Sequence, residues 1–205
     1  MAKTKLTKGE LKRQRESLIQ YERYLPTLRL KKQQLQLEIL HELAALDDRR
    51  HGEVQRRKAV EAWIGLVSDK KVDLKQWVLP RDVITQIRNI AGVDIPVFGR
   101  AEFRHAEYDL FLMPLWADSA IEALRGIASL AEEIAVIEKA VTILRNELRV
   151  TTQRVNLFEK VKIPEAEEAI RLIKIYIGDQ MANAVGRSKI AKRKIGMIVY
   201  EGVAA

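Results

Sequence analysis

Cysteine is absent from all 205 residues, so neither a disulfide framework nor a thiolate metal site is possible, and a reducing compartment fits. No apolar run approaches the roughly 20 residues that a membrane-spanning helix needs. The basic start, MAKTKLTKGELKRQRES, has no apolar core of the signal-peptide kind. A soluble, cytoplasmic chain is the expectation. Glycine and proline number only 10 and 5, and they are unevenly placed. Both are sparse before residue 64 and between Ala117 and Ile163, whereas Pro80, Gly92, Pro96, Gly99 and Pro114 cluster between those stretches. The plan reads as long helix, irregular middle, long helix. Apolar residues make up 47%, an ordinary globular value that argues against global disorder.

Chemistry is also scarce. No glycine-rich loop ends in Gly-Lys-Ser/Thr, and Gly186-Arg187-Ser188-Lys189 has neither the spacing nor the preceding strand to cradle a phosphate. His41 and His51 stand ten residues apart and His105 lies in a loop-like region, so no pair has metal-ligand spacing. Asp47-Asp48 and Glu132-Glu133 sit among basic residues, as on a salt-bridge-laced helix surface. A non-catalytic chain without cofactor or metal is expected.

What is present is periodicity. Thr7-Lys8-Gly9-Glu10 is a capping-box pattern that opens a helix over 8–66, its Thr hydroxyl and Glu carboxylate satisfying orphan amides. Leu11, Leu18, Leu25, Ile39 and Leu46 then share one heptad position, with Lys32 the exception, and Tyr21, Leu28 and Leu35 share the d position. Pro26 lacks the amide that would bond the carbonyl of Glu22, so a local kink is expected there, not an end. A second helix is expected over 119–195, followed by a flexible tail, 196–205. In it Ile127, Leu130, Ile134, Ile137, Val141, Leu144, Leu148, Thr151, Val155 and Phe158 alternate spacings of three and four. Past Phe158 the alternation resumes one residue late, at Ile163, Ala166, Ile170, Ile173 and Ile177. The slip lies at Lys160 to Pro164, where a supercoil must locally rewind. Pro164 with Glu165, Glu167 and Glu168 has first-turn chemistry, but apolar phasing on both sides favours a bend over a break.

Neither helix, each roughly 80 Å or more long, can bury its stripe alone. They are expected to pair antiparallel within the chain, bringing both termini to one end; an intermolecular coiled coil is the rival. The fold class is mainly α, a long antiparallel two-helix coiled coil in a single elongated domain. The middle region, 67–118, carries a β-hairpin near 83–98. There Val83, Thr85 and Ile87 alternate, Asn89 to Gly92 carries turn chemistry, and Val93, Ile95 and Val97 resume the alternation. Pro96 marks the second strand as an edge. Lone hairpins are marginal in water, so either the helices or a partner must cover this one. Trp63, Trp77 and Trp116 read as core packing under the hairpin, with a partner hot spot as the alternative.

The formal charge is +8, which permits nucleic acid, an acidic membrane surface or an acidic protein as partner. Its basic residues concentrate in Lys8 to Arg23, with Lys12, Arg13 and Arg15, and in RSKIAKRKI, with Lys192, Arg193 and Lys194. The second group alone would suit a helix C-terminus; in the antiparallel arrangement both groups add into one basic tip. No aromatics interleave with it, as a single-strand-binding platform would require.

Three stretches carry a resemblance: LTKGELKRQRESL near the start, NIAGVDIP in the middle, and RVNLFEKVKIPEAEEAIRLI followed by RSKIAKRKI near the end. Together they resemble the D subunit of V-type (vacuolar/archaeal-type) rotary ATPases and ATP synthases, over nearly the whole chain. The resemblance implies a central-stalk rotor shaft, a coiled coil inserted into a ring of catalytic A and B subunits and bound lower down by the small F subunit and a funnel-like connector to the membrane rotor. It implies no cofactor, no nucleic acid, and contact with the membrane only through the complex. Arg154, Val155, Asn156, Leu157, Glu159, Ile163 and Pro164 match the family's C-terminal motif, and Asn89, Gly92 and Pro96 its hairpin motif. Residues 98–118 depart from it, being longer and more aromatic. The basic tip is the expected ring contact. Gln153, Arg154, Asn156, Glu159 and Pro164 are the expected surface for a stalk partner. Two readings from other classes compete: an architectural nucleic-acid-binding coiled coil, supported by charge alone, and a cytoplasmic scaffold that adds a partner strand to the hairpin.

Overall fold

A computed structural model describes residues 5–63, 65, 74–108 and 113–203, with side chains described as far as residue 197. The elements are α1 (Lys8–Glu61), α2 (Lys75–Val78), β1 (Pro80–Ile90), β2 (Val93–Phe103), α3 (Ala117–Leu157), a π-helical turn (Phe158–Lys162) and α4 (Ile163–Val203). The fold is mainly α with one hairpin, as the sequence implies. The chain divides into two units, one made of Leu30–Thr152 and the other of the chain up to Arg29 and from Gln153 onward.

Helix α1 starts where the capping pattern places it, but only half of the box forms. The Glu10 N–H donates to Thr7 Oγ1 at 3.3 Å, whereas the Glu10 carboxylate accepts from Gln14 Nε2 at 2.7 Å instead of turning back to the cap. Pro26 lies inside the helix and does not end it. Close by, the Thr27 hydroxyl donates to the Tyr24 carbonyl at 2.8 Å. The helix closes at Glu61, short of the expected 66, and the Trp63 N–H then donates to the Val60 carbonyl.

In the Leu30–Thr152 unit, α1 runs antiparallel to α3 of the same chain. Lys31 pairs with Glu147 at 2.9 Å, Arg49 with Glu133 at 2.9 Å and Arg50 with Glu138 at 2.6 Å. Further along, Arg56 donates to the Gly126 carbonyl at 3.2 Å. From Lys31 to Arg56 the partners run back overall from Glu147 to Gly126, so within this unit the intermolecular rival is not what forms. Exposed pairs of this kind are each worth about 0–1 kcal/mol; burial supplies the rest. Leu35, Ile39, Ala140, Leu144 and Ile95 form one core, against which Leu43, Ile90, Val93 and Leu148 pack. Leu46, Leu130, Ile134 and Val141 are buried as the seam predicts, and so is Thr151, at 1% exposure.

The hairpin is longer than 83–98, with strands of 11 residues each. Two register shifts, at Pro80/Asp82 and Ile84/Thr85, interrupt the alternation that would have revealed its full length. At the second shift sits Gly99, where a Cβ would come within 2.9 Å of the Ile84 carbonyl oxygen. The turn is Ala91-Gly92, with φ of 51° and 76°, the left-handed pair that a two-residue hairpin of matching twist requires. Asn89 braces it by accepting the Gly92 N–H at 3.1 Å and donating to Asp94 at 2.6 Å. Pro96 lies opposite Ile87 in a sheet of two strands. The helices cover the face carrying Ile90, Val93 and Ile95, while Ile87, on the other face, is 78% exposed.

The tryptophans are half-buried against a core, but not under the hairpin. Trp63, Trp77 and Trp116 pack round Leu74, Ala120 and Ile121 at the start of α3, with the Trp77 and Tyr108 rings 5.2 Å apart. Arg125 fastens this cluster, donating to the Trp77 carbonyl at 2.8 Å and the Arg104 carbonyl at 2.6 Å, with its guanidinium 5.5 Å from the Phe103 ring centre.

In the other unit the helix is unbroken at the expected slip, where a π turn absorbs it. The Ile163 N–H donates to the Phe158 carbonyl five residues back, so the turn holds one residue more than an α turn. That extra residue accounts for the late restart of the seam at Ile163. Its cause is local, because the Pro164 ring would collide with the Lys160 carbonyl in a regular α ladder and has no N–H to offer it. Val155, Ala166, Ile170 and Ile173 are buried on the two sides of the turn, and the Tyr21 and Phe158 rings meet at 5.3 Å. Helix α4 continues to Val203, past the expected end at 195 and through most of what the sequence suggests is a tail.

Candidate functional site

The polar belt lies round the π turn. Gln153, Arg154, Asn156, Glu159 and Pro164 are all exposed, because the helix places them beside the seam residues Val155 and Phe158 and not on it. Glu159 is engaged within the chain, accepting from Arg29 at 2.8 Å. The side chains of Gln153, Arg154 and Asn156 make no hydrogen bond or ion pair among the described residues. Leu157 and Val161 stand exposed among them, at 45% and 39%, giving the belt an apolar centre that the sequence reading did not single out. Pi turns frequently occur at functional positions.

The basic residues Lys12, Arg13, Arg15, Lys192, Arg193 and Lys194 belong to the same unit and are all exposed. Lys12 reaches Glu16 on its own helix at 3.8 Å; the other five make no ion pair among the described residues. From Gly178 to Ile195 every residue of α4 is exposed, including Met181, Val185, Ile190 and Ile195. A helix exposed on all sides yet carrying apolar residues has the composition of one that packs against something else. Nearer the turn, Arg171 hydrogen-bonds Glu168 at 2.7 and 2.8 Å, which holds the carboxyl below its usual range and raises the guanidinium.

The hairpin residues Asn89 and Gly92 act on the turn itself, as described, and Pro96 sits on β2 across from Ile87. Glu38, His41 and Glu42 gather within 4.8 Å on α1, but the cation there is Arg88, which reaches Glu38 at 2.6 Å and Glu42 at 2.5 Å.

Two concave places stand out among the described residues, both lined from the Leu30–Thr152 unit. One, of about 300 Å³, is lined by His105, Tyr108, Asp118, Glu122 and Arg125. Tyr108 donates to Asp118 there, and that hydrogen bond is the main cause of its raised pKa. The other is an open groove of about 660 Å³ along α1, lined by Gln33, Gln36, Leu37, Ile39, Leu40 and Leu148. The sequence reading missed it, although Leu30, Gln33, Leu37 and Leu40 repeat at spacings of three, four and three, a second stripe beside the first.

Among the described residues no helix is long and apolar enough to cross a membrane. The ATP synthase D-subunit family matches residues 10–193. The V-type ATP synthase D subunit from Borreliella burgdorferi is 41% identical over 195 residues, 95% of this chain and 96% of its own. Proteins of the same name from Chlamydia muridarum and Chlamydia pneumoniae are 32% and 30% identical, covering 93% of this chain and 95% and 92% of theirs. With its paired helices, hairpin and exposed terminal helix all lying within these matches, the chain belongs to the family of V-type ATP synthase D subunits.

Proposed function

We propose that the chain is the non-catalytic central-stalk rotor shaft of a V-type ATPase or ATP synthase. It couples ATP hydrolysis or synthesis in a ring of catalytic A and B subunits to ion translocation by the membrane rotor. The observation that carries this reading is helix α4, exposed on every side from Gly178 to Ile195 while bearing an apolar and basic surface. Such a surface suits a sleeve that is itself acidic and apolar. Transmitting torque also needs helices that do not slip on one another, and the ion pairs along α1 and α3 support that role.

In this reading Lys12, Arg13, Arg15, Lys192, Arg193 and Lys194 meet acidic loops of the A and B subunits. Gln153, Arg154, Asn156, Glu159 and Pro164 face a stalk partner, the small F subunit or the funnel-like connector, and the chain is peripheral to the membrane through the complex. The test is reversal of Lys192, Arg193 and Lys194 to Glu in the assembled complex. ATPase activity coupled to ion transport should fall while the complex still forms. Unchanged activity and torque would rule the contact out, and failure of the native chain to co-purify with a nucleotide-hydrolysing ring would overturn the assignment as a whole.

A further inference from the structure

Helix α4 carries two apolar stripes where a paired helix needs one. Its seam runs through Ile163, Ala166, Ile170 and Ile173, the last three buried. Continued without the surplus residue of the π turn, the spacing of Val155 and Phe158 leads instead to Lys162, Glu165, Ala169, Leu172 and Tyr176. From Ala169 onward this second stripe is also apolar, and Leu172 and Tyr176 lie exposed on it, at 45% and 40%. Farther along, every residue from Gly178 to Ile195 is exposed, so a surplus residue that reached that stretch would disturb no seam there.

Two residues stand between the registers. Lys162 and Glu165 would be the first to enter the seam if the turn moved toward the C-terminus, and burying charged groups away from water is costly. At present they pair with each other at 3.7 Å, their side chains 44% and 57% exposed. In the other direction Asn156 and Glu159 would enter the seam, and Glu159 is held outside it by Arg29 at 2.8 Å. Pro164 gives a local reason for a wide turn, but Pro26 lies inside α1, which continues as α-helix around it. A proline alone therefore does not hold a surplus residue in place. We infer that Lys162 and Glu165 form a register lock: their charge, not the proline, keeps the surplus residue between Phe158 and Lys162 and α4 on its present stripe. The lock belongs to the chain itself and stands apart from the rotor assignment; in a shaft under load it would keep the helix from slipping onto its second stripe.

With no cysteine to interfere, single thiols in the full-length chain read the register. Leu172→Cys should react with a maleimide at least about tenfold faster than Ile173→Cys, because exposure governs access to a thiol. Both are then placed in altered backgrounds. With Pro164→Ala alone the order should persist, since both charges remain. With Pro164→Ala, Lys162→Leu and Glu165→Leu together it should reverse, position 172 turning into the seam and position 173 out of it. Lys162→Arg and Glu165→Asp in place of the leucines should keep the original order. Should the triple variant lose its helix by circular dichroism, Pro164→Ala with Glu165→Gln decides, its rate ratio falling below that of Pro164→Ala alone. Loss of the order with Pro164→Ala alone would make the proline the lock, and an unchanged ratio once the charges are removed would show that they do not hold the register. Either result overturns the inference.

Discussion

Arg88 and Ile95 stand opposite each other across the hairpin, and the pair divides the work of docking it. Ile95, 1% exposed, enters the core formed with Leu35, Ile39, Ala140 and Leu144, while Arg88 reaches the α1 carboxylates of Glu38 and Glu42. Ile95→Ala should cost about 2–5 kcal/mol, the range for emptying a well-packed site. Arg88→Ala, removing a partly exposed ion pair, should cost about 1 kcal/mol or less. Urea denaturation of the two variants checks the order; equal losses would mean that the charge network, not the apolar contact, holds the hairpin.

The turn offers a stabilising change. Ala91 sits at φ 51°, where an L-residue with a Cβ is penalised by about 1–2 kcal/mol. Ala91→Gly should therefore leave stability unchanged or raise it by up to about 1 kcal/mol after the added freedom of the unfolded glycine is counted. Asn89→Ala, which removes both braces of the turn, should lower it by about 1 kcal/mol. Thermal melting of the two variants reads both signs.

The π turn makes a prediction about hydrogen exchange. Amides near Phe158 to Ile163 should exchange faster than those of Val141 to Thr151, since the wider turn weakens the ladder. Deleting Lys160 together with Pro164→Ala removes both the surplus residue and the colliding ring, and should raise protection there to the level of α3. Protection that is already uniform in the unaltered chain would show that the turn is not a weak point.

Tyr108 supplies a pH dependence. Its hydrogen bond to Asp118 raises the phenol above its ordinary value of 10.0, so the folded state holds the proton more tightly than the unfolded one. The stabilisation is complete below the unfolded value and disappears as pH climbs through the folded one. Ultraviolet titration should show Tyr108 ionising above its ordinary value, and Asp118→Asn should return it toward that value.

Much of this was legible in the residues. The three-and-four spacing of α3 located the buried Leu130, Ile134, Val141 and Leu144, and even the one-residue slip near Pro164, because a seam buried against one neighbour leaves a strict period. The slip did not say how the backbone would absorb it, since a bend and a π turn leave the same trace. The hairpin's length was hidden by the register shift beside Gly99, which breaks the period of two. The tryptophans read as core residues, but their place round Leu74 depends on how the chain returns to α3, which local pattern does not encode. Belt and basic residues were visible as exceptions to the apolar stripe. The groove at Leu37 was obscured because one helix carries two stripes, and the deeper one dominates the eye.

Each residue of an α-helix advances about 100° round the axis, and the turn at Phe158 to Lys162 inserts one such step. An uninterrupted helix would therefore present everything after it rotated by that angle relative to Val155. Ile170 and Ile173 would swing out of the seam, and Lys192, Arg193 and Lys194 would point to a different quarter of the compass. The surplus residue is thus an angular spacer, setting the azimuth of the basic end of the helix from a point some thirty residues away.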